Sequence, residues 1–239
     1  MYRFWIADTH FNHGNISKLC RRPSLKASDL NPDGTWISQE AALRCAERNN
    51  AMLIRNSNQR VKPEDTVVCV GDFSCKGNER GIEGLSVKPS EILAGLNGKW
   101  VIIKGNHDDR NGVKSVCDFM SVRIENFNVG VQHRPLFDAK TYDYWTGLSK
   151  EEQEKMPWVK KLNPQELKRL TVHSEYCRQN FDFMICGHVH DLWHTKKISG
   201  IWHVNVGVDV NRYMPITDVE VSNIFRKAVK DGKNFPATY

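Results

Sequence analysis

The sequence predicts an α/β fold, and two observations carry the prediction. Short apolar runs with strand character alternate along the chain with segments of helical spacing, the pattern that lays helices against sheets. Four of those runs also end alike, in a glycine or directly in polar residues. Strands of α/β sheets end this way where their carboxyl edge meets a ligand. The 239 residues suit one large domain, residues 1–239, with chain enough for a sizeable core.

In order, the first strand is Tyr2–Ala7, which runs into Asp8-Thr9-His10. The loop Phe11–Asn15 follows, then an irregular stretch to Trp36 that contains Arg21-Arg22-Pro23. Ser38 to Asn56 places Ala42, Cys45, Ala46, Met52 and Leu53 broadly at helical spacing and reads as an amphipathic helix. After a turn over Val61–Asp65, the second strand Thr66–Val70 ends in Gly71-Asp72, and Cys75 to Gly81 is glycine-broken loop. Ser90 opens a short helix that ends before Gly98, its expected cap. The third strand, Trp100-Val101-Ile102-Ile103, stops at Gly105, where backbone freedom permits a sharp turn. Asn106, His107 and Asp108 follow at once.

A fourth strand, Phe127–Gln132, ends at His133-Arg134-Pro135. The region 137–180 is polar and rich in Lys and Glu, which suggests a helical insertion. Within it, Asn163-Pro164-Gln165-Glu166 supplies a cap, a proline at the first helical position and a glutamate at the third. Phe181–Cys186 is the next strand and ends in Gly187-His188-Val189-His190. Ile201–Val206 reads as a last strand, and Thr217-Asp218-Val219-Glu220 is a capping box for a helix to about Lys230.

Four strand ends converging on one place would gather two Asp, one Asn and three or four His. That mixture of imidazole and carboxylate suits zinc, manganese, iron or nickel and suits calcium poorly, since calcium takes oxygen-only shells. A single D-x-H is weak; the ordered set D-x-H, G-D, G-N-H-D, G-H-x-H is a strong signal.

With those motifs in that order, the chain resembles the calcineurin-like metallophosphoesterase superfamily. Asp8-Thr9-His10-Phe11-Asn12-His13, Val70-Gly71-Asp72-Phe73-Ser74 and Asn205-Val206-Gly207-Val208-Asp209 extend the likeness toward its small bacterial and phage phosphoesterases. The resemblance implies a four-layer α-β-β-α sandwich of two mixed sheets. It implies two divalent ions and hydrolysis of phosphate mono- or diesters, of nucleotides or nucleic acid, by a metal-bound hydroxide. Asp72 would bridge the ions. Asp8, His10 and His190 would complete one shell, and Asn106, His188 and one further His the other. His107 would act on the substrate as general acid, oriented and kept cationic by Asp108. His13 and Asn15 are candidate substrate contacts beside turn-shaping roles. Arg22 is a candidate phosphate clamp, although solvation at the surface is the commoner fate of such a residue.

The further His is His133 or His173. His133 follows an apolar strand and repeats the strand-end placement of the other ligands, whereas His173 falls in a stretch with a capped helical start. His133 is the expected ligand. Lone imidazoles in the core or in solvent are the expectation for His194 and His203. A fold that has kept its shape as a catalytically silent binding module is the alternative; lost ligands would signal it, and every motif residue is present.

Composition bounds the rest. With 40% hydrophobic and 26% charged residues the chain is ordinary globular material. No apolar run nears the roughly 20 residues of a membrane span, and the start lacks a signal-peptide pattern. The expectation is therefore a cytoplasmic protein, with its seven cysteines reduced and no C-x-x-C pair to form a cysteine zinc site. The net charge of +6 favours anionic partners without by itself implying nucleic acid. Lys160-Lys161 and Lys168-Arg169 would be the residues to guide a polynucleotide.

Overall fold

The computed structural model describes residues 1–75, 87–108, 112–154 and 161–232. Residues 76–81 of the expected glycine-broken loop, and Lys160, lie outside the described residues.

Two mixed sheets form the centre. The first contains β1 (Arg3–Ile6), β2 (Thr66–Val70), β3 (Lys99–Ile103) and β9 (Ile216–Thr217) in the order β3-β2-β1-β9. Its first three strands are parallel, and β9 runs antiparallel at the edge. The second contains β4 (Phe119–Ile124), β5 (Phe127–Gln132), β6 (Phe183–Cys186), β7 (Thr195–Ile198) and β8 (Ile201–Asn205), ordered β4-β5-β6-β8-β7. Here β5, β6 and β8 are parallel, between antiparallel edges. The unbroken apolar runs of β2 and β6 mark interior parallel strands covered on both faces.

The layers follow from what each face buries. Between the sheets, Trp5, Val68, Val70 and Ile103 meet Val129, Val131, Phe183, Ile185 and Val204. Outside the first sheet, α2 (Gln39–Arg60) and α3 (Pro89–Ala94) set Leu53 and Ile92 against Phe4, Ile6, Val67, Cys69 and Ile102. Outside the second sheet, α6 (Pro164–Asn180) sets Cys177 against Met184, Ile198 and Ile201. The result is the α-β-β-α sandwich. Helix α7 (Asp218–Asp231) adds Val221 and Phe225 to the central core. Its Asp218 receives the Arg3 guanidinium and the Trp5 indole N–H, which ties the helix to β1.

Several boundaries differ from the sequence reading. α2 runs one turn beyond Asn56 because its polar end is used: Asn58 donates to the Gly95 carbonyl and accepts from Asn97 N. α3 ends at Ala94 with Gly95 as its cap, while Gly98, at φ 89°, makes the turn into β3 instead. α1 (Gly14–Leu19) stands at the end of the expected loop. Strands β4, β7 and β9 carry edge positions with mixed polar and apolar residues, which gave no clear period. The 137–180 stretch contains α4 (Ala139–Thr146), α5 (Lys150–Glu154) and α6. The inner face of α6 is a core layer, with Ser174 and Cys177 buried. All seven cysteines are free thiols, as expected.

Phe183 is fully buried and stacks on Phe225 at 4.4 Å between centroids. Phe183→Ala should cost about 3–5 kcal/mol of unfolding free energy, read from the denaturation midpoint. A cost below about 1 kcal/mol would show that the two sheets do not depend on this contact.

Candidate metal centre

Every polar group singled out by the motifs lies just past the carboxyl end of a parallel strand. Asp8 and His10 follow β1, Asp72 follows β2, and Asn106 with His107 follows β3. His133 follows β5, while His188 and His190 follow β6. The loops are bound to one another by backbone hydrogen bonds: Asp8 N to Gly71 O, His10 N to Asp72 O, and Gly187 N to His133 O. The Asp8 carboxylate accepts from His188 N at 2.9–3.0 Å, and Asp72 Oδ1 accepts from His107 N at 2.8 Å.

Among the described residues four groups of potential ligand atoms result, the atoms of each within 4.8 Å of one another: Asp8, His10 and His190; Asp72, His133 and His188; and two that flank them, His10, His13 and Cys75, and Cys20, His190 and Asp209. Asp72 stands between the first two: its Oδ2 lies 3.2 Å from His133 Nε2 and 3.5 Å from His10 Nε2. Asn106 Oδ1 is 3.1 Å from His133 Nε2. Of the two rival histidines, His133 is thus brought to the cluster. His173 is placed against Gln132 Oε1 at 2.7 Å and edge-on to Phe119.

Neighbouring groups fix how the imidazoles point. His133 Nδ1 lies 2.8 Å from the Val70 carbonyl, which can only accept, so Nδ1 carries a proton and Nε2 is the ring nitrogen turned toward Asp72 and Asn106. His190 Nδ1 is held by Asp209 Oδ2 at 2.8 Å, and His10 Nδ1 by Cys75 Sγ at 3.2 Å. His10 Nε2 is buried and has no hydrogen-bond partner among the described residues. Imidazole nitrogens and carboxylate oxygens that converge in a dry place fit a cation. On these observations the residues present fit a divalent metal.

The electrostatics agree. Burial raises the pKa of the Asp8 carboxyl, an anion that needs nearby positive charge. Burial opposes ionisation of Asp72 too, but the hydrogen bond and charge of His133, with His10, hold its pKa down. Burial, together with the charges of His133 and Arg134, lowers the pKa of His188 to about 3, so it is a neutral donor of a lone pair. Burial works against charge on His190 as well, yet Asp8 and Asp209 lift its pKa to about 11 in the metal-free chain.

The backbone is strained where the ligating groups sit. Asp8 (φ 56°), His10 (45°), Asp72 (52°), His188 (71°) and His190 (47°) are all left-handed. Such residues cost of order 1–3 kcal/mol each and persist only where the surroundings over-determine them. Two glycines make the close approach possible. A Cβ on Gly105 would lie 2.1 Å from Asp72 N and 2.2 Å from Asp72 Oδ1. At Gly71, with φ 85°, a Cβ would lie 2.5 Å from His133 Nδ1.

Some expected site residues are placed otherwise. Arg22 is buried, not turned to a phosphate. Its guanidinium donates to both oxygens of Asp209 and to the carbonyls of Asp8 and Thr9. Asp108 accepts from the backbone N–H groups of Asp72, Phe73 and Gly105. These contacts clasp the two loops together, and the backbone of His107 is anchored by its N–H bond to Asp72 Oδ1. His13 and Asn15 line a cleft of about 350 Å³ with His10, His107 and His190, and Asn15 also accepts from the Trp36 indole. His203 is a buried imidazole that accepts from Leu136 N, and His194 faces Asn211.

Asp209, Cys20 and Cys75 support the cluster and were not assigned roles from the sequence. Asp209 links Arg22 to His190, and Cys20 Sγ lies within 4.8 Å of both Asp209 and His190. The available signal for Asp209 was its place after β8, in Asn205-Val206-Gly207-Val208-Asp209.

The family profile of the calcineurin-like phosphoesterase superfamily domain matches residues 49–214. The chain belongs to this superfamily. Among solved structures, a protein of unknown function from Aquifex aeolicus aligns over 93% of this chain and 98% of its own. The TM-score is 0.56 and the identity 21%, a likeness of fold. A phosphoesterase from E. coli aligns over 86% of this chain and 78% of its own at TM-score 0.35 and 15% identity. An uncharacterized protein of Methanocaldococcus jannaschii is 34% identical over 105 residues, which are 44% of this chain. The match spans about half, 46%, of that curated relative. Among the described residues of this calcineurin-like chain, no helix is long and apolar enough to cross a membrane.

Gly105→Ala should displace Asp72 and lower metal content per chain while leaving the far-ultraviolet circular dichroism unchanged. Metal content equal to wild type after dialysis would mean that the close approach of the two loops is not required.

Proposed function

We propose that the chain is a binuclear, divalent-metal-dependent phosphoesterase that hydrolyses phosphate mono- or diesters. The observation that carries this reading is the convergence of His133 Nε2, Asn106 Oδ1 and Asp72 Oδ2, at 3.1 and 3.2 Å, beside the unpartnered His10 Nε2. Asp8, His10, Asp72 and His190 would hold one ion, and Asp72, Asn106, His133 and His188 the other. Two ions, when bound, supply Lewis acidity that activates water and neutralises phosphoryl charge. Manganese, nickel, iron and zinc all match the donor set.

The remaining work falls to the chain's own groups. The His107 ring packs edge-on to His10 at 5.2 Å and lines the adjoining cleft, so it can reach a phosphoryl group held there. In the reaction, the oxygen of a water bonds to phosphorus and the ester P–O bond breaks with its electron pair on the leaving oxygen. His107 gives that oxygen a proton, the attacking water gives up one of its own to solvent, and His107 regains a proton from solvent before the next turnover. Arg22 and Asp209 act as positioning residues: Asp209 keeps Nδ1 of His190 protonated and turns Nε2 inward. Asp108 holds the Asp72 and Gly105 loops in register. Asn106 adds an oxygen ligand without a further negative charge near an anionic substrate. The silent-module alternative has no missing ligand in its favour.

The direct test is turnover of bis-p-nitrophenyl phosphate with manganese or nickel added. A chelator should abolish it, and full turnover in demetallated protein would end the two-metal reading. His107→Ala should keep both ions and lose about 10²–10⁴ in kcat, whereas Asp72→Ala should lose metal as well. Unchanged kcat in the His107 variant would remove it from the chemistry. For the contested ligand, His133→Ala should bind about one ion per chain and His173→Ala two. The reverse pattern would move the ligand onto α6.

A further inference from the structure

A second cleft opens at the other side of the cluster and is not used by the roles above. It has a volume of about 640 Å³ and is lined by Asn106 and His133 at its inner end. Arg134 and Arg169 bring exposed cations to it, and Phe119 and Phe137 bring aromatic surface. Lys104 adds a third cation, against the single acid Asp118 among the lining residues. None of these residues lines the cleft that holds His107. Each half of the metal centre therefore has its own cleft, which is what an ester with a substituent on either side of phosphorus requires.

The larger cleft also continues. Arg169 and His173 belong both to it and to a shallow depression on the outer face of α6, with Lys168, Val172 and Tyr176. Arg169, Val172 and Tyr176 follow one another at i, i+3 and i+7 and share a helix face. The stripe from Arg169 to Tyr176 spans about 10 Å at the α-helical rise, room for one or two more nucleotide units. Among the described residues, Val172 and Tyr176 are large apolar groups left 60% and 51% exposed. Arginine charge interleaved with aromatic faces is the chemistry that holds a single strand, phosphates on the cations and bases on the rings. A monoester with an uncharged leaving group would leave both arginines without an anion.

We propose that the cleft beside Asn106 and His133, continued over α6, binds the strand of a single-stranded oligonucleotide whose phosphodiester is cleaved at the metal centre. The inference rests on the phosphoesterase reading and names its substrate class. Arg134 and Arg169 would each take a phosphate flanking the scissile one. Phe119, Phe137 and Tyr176 would take bases.

The test uses the manganese-loaded full chain and an Arg134→Gln/Arg169→Gln double variant. For the wild type, KM should fall about 10-fold or more from a dinucleotide to a hexanucleotide, since each added stacked base contributes. In the double variant KM for the hexanucleotide should rise about 10-fold or more, a larger change than any in the turnover of bis-p-nitrophenyl phosphate. Binding of a fluorescein-labelled hexanucleotide, measured by anisotropy in manganese-loaded protein that carries His107→Ala, with and without the two arginine substitutions, needs no turnover. Its salt dependence should become shallower by about 1.4 in log–log slope when two phosphate contacts are lost. A KM indifferent to length, or equal loss of both activities in the variant, would overturn the proposal. So would an anisotropy titration unchanged by the substitutions. Failure of the wild type to hydrolyse any phosphodiester would count against the phosphoesterase reading instead, and the anisotropy titration would still decide the cleft.

Discussion

Where the two sheets end, the loops after β1, β2, β3, β5, β6 and β8 bring together groups that accept hydrogen bonds or offer lone pairs. Asp8, Asp72 and Asp209 are anions with little or no exposure, and His133 and His10 turn ring nitrogens toward the same place. Burying such groups without compensation is expensive. The need for positive charge among them is the constraint on which the surrounding structure depends. One cation is built in: Arg22, wholly enclosed, answers Asp209 and caps the carbonyls of Asp8 and Thr9. The rest of the compensation falls, in this account, to divalent ions.

That constraint explains features that would otherwise be faults. Five candidate ligands are held in left-handed backbone, a conformation that ordinary residues avoid. They are held there because backbone bonds cross-link each loop to the next and because the Asp108 carboxylate clasps the loops after β2 and β3. The rigid element is the pair of sheets behind them, with the Trp5 and Phe183 faces packed between. A site assembled on strand ends in this way holds its donor atoms before any ion arrives, which is the condition for a metal to be bound in one geometry.

Much of this was legible in the sequence. Val70-Gly71-Asp72 and Ile103-Lys104-Gly105-Asn106-His107 already show an apolar strand, a turn and a candidate ligand, and the first sheet carries both strands as neighbours. His133 could be preferred to His173 from its strand-end position, and the structure places it beside Asp72. What was not legible depends on contacts distant in the chain. Arg22 looks like a surface cation until Asp209, 187 residues away, is seen to receive it. Asp108 sits next to His107 in sequence, yet its carboxylate reaches back to Asp72 N, 36 residues earlier. Edge strands such as β4 lack a period because one face is only partly covered.

The central claim is a pair of ions sharing Asp72, and anomalous diffraction from crystals of the manganese-loaded chain tests it most directly. The account predicts two anomalous peaks about 3.5–4 Å apart, with the Asp72 carboxylate between them. Asp8, His10 and His190 should surround one peak, and Asn106, His133 and His188 the other. A single peak, or a second ion seated instead between His13 and Cys75, would contradict it.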